Sequence, residues 1–591
     1  MKNKNKQNNK STANKNKNKP PRQTNQRKPG REPANSGGGV PNEGLYFIPL
    51  GGCEQFGVNL NVYACDGEYI AVDCGIGFTG GAMPGIDIML PDPAFLAERK
   101  KSLKALIITH AHEDHIGAVA HLWKYLQCPI YTTPFTAGVL SEKFKDNNLK
   151  NVPVTVCAPG KVVKMGKFSV NFVPVSHSIP DSCALFIETP HGNVLHSGDW
   201  NLDPTPMAGY TTDPATFKSI GDQGVVAYIG DSTNAEVPGV AGTEADIEAG
   251  LIKEFKKCRG RIGITIFSSN IGRIISIAKA AKACGRQVGV VGRSLHRMIG
   301  VAEKMGYLKG VPQFLSEQEA GLLSGERVVM IVTGSQGEPR SALAKISRGE
   351  FRDVKLGKGD TVIFSSRPIP GNESNINAIK NNLIASHVRV VTASTTDSLI
   401  HVSGHPCRDE IKTMFEWVRP NVVIPVHGER TQLDAQRQLA KDCGIHDSIV
   451  PNNGSVIRLA PGKAEIIDHV PTGVLAVDQK RLISGNHASI YDRKKLQLSG
   501  AVHVALALDS KGQVLGEPRL DTVGLLDLNH DPDLKIEDKI YEEIYGLLEE
   551  CTPEELRDDG FVEEEIRIGL RRYVFHVLGI KPKTTVHVIR V

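Results

Sequence analysis

The segment His110-Ala111-His112-Glu113-Asp114-His115 constrains this chain more than any other. It follows an apolar run, residues 104–109 (KALIIT), and precedes a helix-type run, residues 118–126. A strand that ends in this string delivers four metal-binding side chains at a single turn. His110 and His112, two apart, can share one ion; Asp114 and His115 can face a second. Imidazole and carboxylate without sulfur suit zinc or another divalent transition ion, and argue against a structural cysteine-type zinc site. A lone histidine after a strand is usually an ordinary surface or core residue. Four such groups within six positions are not.

Further ligands are expected at other strand ends. His177 follows the run 169–175, and Asp199 follows the run 193–196, where its carboxylate can bridge two ions. His427 follows the run 422–426 (VVIPV). Asp73 ends an earlier strand and reads as the acceptor that orients a ligating histidine.

The rest of the pattern describes the frame. Short strands at 45–50, 60–64, 69–72, 154–156 and 184–188 complete a strand-rich first half. From about residue 243, helices at 244–257 and 274–283 alternate with strands at 261–267, 287–291, 327–332, 360–364 and 388–391, the signature of a parallel sheet flanked by helices. Because 422–426 again delivers a histidine, this second unit reads as an insertion from which the chain returns. A linker is expected at 461–483. A small carboxy-terminal unit at 484–591 should then hold strands at 501–508, 522–527 and 585–591. Two helices are expected there, one with Ile536, Ile540, Ile544 and Leu547 on one face and one with Ile566, Leu570, Tyr573 and Val577.

Charge separates the first 40 residues from the rest. They hold eight Lys and three Arg against Glu32, a net of +10, whereas the remainder carries 59 basic and 64 acidic groups. This Lys/Asn/Gln/Pro-rich tail cannot bury a core and is expected to be disordered. It reads either as an arm that attracts phosphate backbones or as a solubilising leader. No apolar run reaches ~18 residues, so no membrane span is expected; nor is a secretory leader. The eleven cysteines form no C-x-x-C pair, which suits a reducing cytoplasm.

The H-x-H-x-D-H string with later His, Asp and His resembles the metallo-β-lactamase signature, and Asp231 in Gly230-Asp231-Ser232-Thr233-Asn234 matches the acidic motif of β-CASP nucleic-acid processing enzymes. The strings at 333–339 (TGSQGEP), 365–373 (SSRPIPGNE), 401–405 (HVSGH) and 425–429 (PVHGE) resemble the ribonuclease J family, with similarity from about residue 45 onward. The fold implied is α/β: a metallo-β-lactamase αββα sandwich formed by residues 41–242 and 393–460, an inserted β-CASP α/β domain at 243–392, and a small carboxy-terminal α/β domain.

The resemblance implies a metal-dependent ribonuclease with 5′→3′ exonuclease and endonuclease activity, acting in RNA maturation and mRNA decay. It assigns two divalent ions per subunit, zinc by ligand type, with manganese or magnesium also compatible. His110, His112, His177 and Asp199 would hold one; Asp114, His115, Asp199 and His427 the other. Asp231 and His405 would be catalytic, and Ser269, Asn270, His401, Val402, Ser403, Gly404 and His405 would contact substrate. Alone, Asp231 reads as a turn or cap residue. The loops 334–337 and 403–404 offer the backbone N–H groups of a phosphate nest. The implied partners are RNA, further copies of the chain in a dimer or tetramer, and other RNA-decay proteins or ribosomes. Two departures, Cys53-Glu54-Gln55-Phe56-Gly57 and Pro406-Cys407, are read as lying off the metal set. The rival readings are a β-CASP DNA nuclease, a small-substrate metallo-hydrolase, and a catalytically silent RNA-binding scaffold.

Overall fold

The computed structural model describes residues 39–591; the basic tail lies outside them, apart from its last two residues. Two large sheets face each other. The first has eight strands in the order Glu465–His469, Ser455–Ala460, Leu45–Gly51, Leu60–Cys65, Glu68–Val72, Leu103–Ile108, Ile130–Thr132, Val154–Val156. The second has seven, in the order Asp447–Ser448, Val422–Val426, Ala227–Asp231, Gly192–His196, Cys183–Thr189, Phe168–Pro174, Val162–Met165.

The strand Leu45–Gly51 shows why the layers form. All seven residues are buried. Leu45 and Phe47 point into the core between the sheets, where they meet Phe168, Phe172, Leu185 and Ile424. Tyr46, Ile48 and Leu50 point the other way, into the layer beneath the helices. A strand apolar on both faces has to be covered twice, and the αββα sandwich does this. Each fully buried Leu, Ile or Phe contributes roughly 1.5–3 kcal/mol of transfer free energy.

The chain leaves the second sheet after Asp231 and returns 190 residues later as Val422–Val426, the parallel neighbour of Ala227–Asp231. The register sets Asp231 opposite Val426, so His427 emerges beside it. Between the two, five parallel strands form a separate sheet in the order Gln287–Val291, Val328–Val332, Ile262–Thr265, Thr361–Phe364, Arg389–Val391. The fold is thus a metallo-β-lactamase sandwich with an inserted β-CASP unit and a carboxy-terminal α/β unit.

Residues 461–483, expected to be a linker, carry strands instead. Glu465–His469 extends the first sheet, while Val474–Asp478 pairs with both Ile88–Pro91 and Arg481–Ser484. Glu465–His469 is a half-exposed, largely polar edge strand held by backbone pairing, whereas Val474–Asp478 is an apolar interior strand whose Ala476 is fully buried. In the last unit, Ala501–Leu508 pairs with Arg519–Val523 and with Lys583–Arg590. The strand expected at 522–527 therefore lies earlier. The second helix, Asp559–Leu578, buries Val562, Ile566, Leu570 and Val574 at four-residue spacing, which leaves Val577 41 % exposed. All eleven cysteines are free thiols. No helix among the described residues is long and apolar enough to cross a membrane.

Candidate metal centre

The strand Leu103–Ile108 runs parallel to Glu68–Val72, and its carboxyl end opens onto the gap between the two sheets. Gly192–His196, Ala227–Asp231 and Val422–Val426 end at one common edge of the second sheet. Every residue expected to hold metal follows such a strand end. Backbone N–H groups and side chains converge there because parallel strands share direction.

Seven side chains meet in two groups. The nitrogens His110 Nε2 and His177 Nε2 lie 3.1 and 3.0 Å from His112 Nδ1. In the other group, His427 Nε2 is 3.1 Å from Asp114 Oδ2 and 3.3 Å from His115 Nε2. One oxygen belongs to both: Asp199 Oδ2 is 3.5 Å from His110, 3.8 Å from His177, 3.2 Å from His115 and 3.6 Å from His427. A tetrahedral ion bound at ~2.0–2.1 Å has donor–donor edges of roughly 3.3–3.4 Å. The spacing of the donors therefore fits divalent ions.

The far ring nitrogens explain which lone pairs face inward. His115 Nδ1 donates to Asp73 Oδ2 at 2.8 Å, and His177 Nδ1 donates to the Gly404 carbonyl at 2.7 Å. Both rings thereby present bare Nε2 atoms to the centre. His427 Nδ1 pairs with Thr233 Oγ1 at 2.8 Å and His110 Nδ1 with Thr109 Oγ1 at 3.0 Å. Neither threonine stands out in the sequence, since each is simply the residue that a strand end sets beside an imidazole. Gly404 has to be glycine: a Cβ there would sit 2.9 Å from the His177 ring and 2.7 Å from Ser178 Oγ.

The electrostatics are split in the same way. Burial, with repulsion from neighbouring imidazoles, pushes His110 and His112 well below the usual histidine range; burial takes His177 down to about 4. Burial opposes charge on His115 and His427 too, but Asp199 and Asp114 reverse this, holding His115 well above the ordinary value and His427 at about 9. Burial would also raise Asp199, yet His115, His427 and His110 keep it well below the carboxylate range. Four of these rings and Asp199 are nearly inaccessible to solvent. Charged His115 and His427 thus offset Asp114 and Asp199, whereas His110, His112 and His177 are held neutral, the form that ligates metal.

Asp231 serves two partners. Its Oδ1 accepts from Thr233 N at 2.9 Å, closing the turn that its sequence suggests, while Oδ2 accepts from His405 Nδ1 at 2.8 Å. Burial disfavours a charged His405, but Asp231 overcomes this and raises it. Asn234 ties down the loop carrying His405, donating to Ser403 Oγ at 2.8 Å and to the His405 carbonyl at 3.1 Å; Arg367 in turn donates to Asn234. Asn270, Val402, Ser403 and Gly404 line a pocket beside His177. Ser269 is not part of that lining. His401 is turned toward Arg273, whose guanidinium lies 3.4 Å from its Nδ1; burial and that charge lower it to about 3.

One departure is closer to the centre than expected. The Gly52 carbonyl accepts from His427 N at 2.9 Å, and the Phe56 ring stands edge-on to His427 with centroids 6.4 Å apart. The glycine-rich loop thus braces a member of the cluster. Cys407 does lie away from it, capping the helix Arg408–Val418.

Four family models match the chain: a β-lactamase superfamily domain over residues 68–218, a ribonuclease J β-CASP domain over 259–383, a Zn-dependent metallo-hydrolase RNA specificity domain over 391–451, and a ribonuclease J C-terminal domain over 488–591. Ribonuclease J of Sinorhizobium meliloti is 43 % identical over 93 % of this chain and 98 % of its own. The Mycolicibacterium smegmatis protein of the same name is 35 % identical over 93 % and 98 %, and the Synechocystis one 35 % over 85 % and 78 %.

Proposed function

Because the chain belongs to the ribonuclease J family, we propose that it is a metal-dependent RNA hydrolase using two divalent ions, zinc by preference. The observation that carries this reading is Asp199 Oδ2, one buried oxygen within 3.8 Å of imidazoles from both histidine groups. His110, His112 and His177 would share it with one ion, and Asp114, His115 and His427 with the other. When bound, such a pair supplies Lewis acidity that activates water and offsets charge on a phosphodiester.

The chain's own residues do the rest. Asp73, the Gly404 carbonyl, Thr109 and Thr233 hold four imidazoles in one orientation. Asp231 accepts from His405 Nδ1, which leaves His405 Nε2 to donate to a phosphate oxygen or to the departing 3′-oxygen. Asn270 and Ser403 flank the adjoining pocket, where the Ser403 hydroxyl can donate to a terminal phosphate. This supports 5′→3′ removal of nucleotides from a 5′-monophosphate end, with internal cleavage when no end is anchored. The free cysteines suit a reducing cytoplasm. The exposed Tyr491, Leu498 and Phe575 support assembly of dimers or tetramers through the carboxy-terminal unit. RNA-decay proteins and ribosomes are the expected further partners.

The test is incubation of the purified protein with 5′-labelled RNA bearing one or three phosphates, and with DNA of the same sequence, with and without chelator. The reading expects chelator-sensitive cleavage of RNA, released as mononucleotides from monophosphorylated ends. Cleavage that survives chelation, or a preference for DNA, overturns it.

A further inference from the structure

The inserted sheet has a feature that the metal centre does not use. Its strands Ile262–Thr265 and Val328–Val332 are parallel neighbours whose following helices go to opposite faces. Helix Ile271–Ala283 packs into the core that also holds Val329 and Ile331. Helix Ala342–Ser347 packs on the other face, with Met330 and Val332. Adjacent strands with diverging connections leave a crevice at their carboxyl ends, the usual ligand position of open α/β sheets.

A groove of about 620 Å³ lies there, bordered by Phe267 and Ser268 after one strand and by Thr333, Gly334 and Ser335 after the other. Its walls are basic. Arg293, Arg340 and Lys345 line it and form no ion pair among the described residues, whereas Arg297 is engaged by Asp146. Glu317 and Glu338 are the acids on its rim. The twelve-residue helix Arg293–Lys304 starts at the groove; Glu317 Oε1 accepts from Gly292 N at 3.0 Å, and the N–H groups of Arg293, Ser294 and Leu295 have no side-chain acceptor among the described residues. Ser335, only 3 % exposed, borders the groove and makes no hydrogen bond among the described residues. Its hydroxyl is therefore free to pair with a ligand in the groove. Gly334, at φ +121°, keeps the floor open: a Cβ there would lie 2.4 Å from Ser341 Oγ. Phe267 and Phe351 add half-buried rings on which a base can stack.

We propose that this groove is a second nucleotide-phosphate site, separate from the His/Asp centre. Guanidinium groups, uncapped helix N–H groups and the Ser335 hydroxyl take the phosphate, and the aromatic rings take the base. Asn270 lines the catalytic pocket only two residues from Ser268, so the groove borders that pocket along the chain. The phosphate comes either from the RNA being cut, beyond the scissile bond, or from a free nucleotide. The RNA arm of the test rests on the ribonuclease reading above.

The experiment compares wild type, Arg293→Gln/Arg340→Gln and Ser335→Ala, each checked for an unchanged melting temperature. In one arm, kcat and KM are measured on 5′-phosphorylated RNAs from a trinucleotide to a twenty-mer. If RNA is the ligand, the double variant raises KM for long substrates about tenfold and leaves the trinucleotide and kcat unchanged. Its salt dependence flattens by roughly 0.7 in log–log slope for each phosphate that is no longer neutralised. In the other arm, equilibrium dialysis counts AMP bound per chain. If a free nucleotide is the ligand, the wild type binds one more AMP than the double variant while long-substrate KM stays level. Ser335→Ala should weaken the same readout two- to fivefold. Wild-type KM at every length together with wild-type AMP stoichiometry, in folded variants, overturns the proposal. Absence of RNA cleavage by any of the proteins would sink the ribonuclease reading alone, because the AMP count still decides the groove.

Discussion

Asp73 offers a test of how the centre is held together. Its Oδ2 accepts from His115 Nδ1 at 2.8 Å, and its Oδ1 accepts from Thr109 N at 2.8 Å, with the Thr109 hydroxyl also within 3.1 Å. Both main partners are donors, so both carboxylate oxygens are needed as acceptors. Asp73→Asn keeps shape and volume, and asparagine tolerates the left-handed backbone at φ 63°. It replaces one acceptor with an NH2 group. If the amide oxygen stays on Thr109 N, the NH2 faces His115 Nδ1. That ring then shifts its proton to Nε2, the nitrogen 3.2 Å from Asp199, and no longer offers a lone pair there. Outer partners of ligating histidines are worth about 10–100-fold in metal affinity or activity, or about 1.4–2.7 kcal/mol. If the amide flips instead, a buried donor is left unpaired at about 1–3 kcal/mol of stability. The assay is competition of zinc or manganese against a fluorescent chelator, run beside cleavage of labelled RNA and thermal denaturation. One ion should weaken 10–100-fold, the other should stay, and excess metal should restore most cleavage. Wild-type affinity for both ions at wild-type stability would refute the argument that Asp73 sets the His115 tautomer.

Other perturbations separate roles within the site. His405→Ala should keep metal content by elemental analysis and lose most turnover; loss of an ion would make His405 a ligand rather than a proton donor. Ser403→Ala should reduce exonuclease rates on monophosphorylated RNA more than internal cutting of triphosphorylated RNA, and equal losses in a side-by-side time course would count against the end-binding pocket. Arg273→Met removes the buried partner of Glu244, which Arg273 holds at 2.6 and 2.9 Å, along with the clasp on Ser365 and the Ile400 carbonyl. Leaving Glu244 alone should cost about 3–5 kcal/mol, read as a lower denaturant midpoint; an unchanged midpoint would mean the pair contributes no net stability. Deleting residues 1–40 should weaken RNA binding at low salt and flatten its salt dependence while leaving cleavage at saturating RNA unchanged; an unaltered slope would favour the solubilising reading of the tail.

The sequence alone carried the chemistry of the centre, because one turn places His110, His112, Asp114 and His115 within six residues and because strands that end in His or Asp are easily read. The same holds for strand 287–291 of the inserted unit and for strand 422–426, where the chain returns to the sandwich; both are bounded as their apolar runs suggest. It could not assign partners across the fold. That Asp199 Oδ2 reaches imidazoles of both groups depends on the facing of two sheets built from segments hundreds of residues apart. That Thr233, Thr109 and the Gly404 carbonyl orient imidazoles depends on side-chain placement at strand ends, where a threonine or a glycine carries no mark of its role. Hydrophobic patterning also fails where pairing rather than burial holds a strand: Glu465–His469 is polar and half-exposed, and its pairing with Ser455–Ala460 makes it a strand. Local sequence decides what a residue can do. Which groups it meets is decided by contacts between distant segments, whose energies appear only when the whole chain is packed.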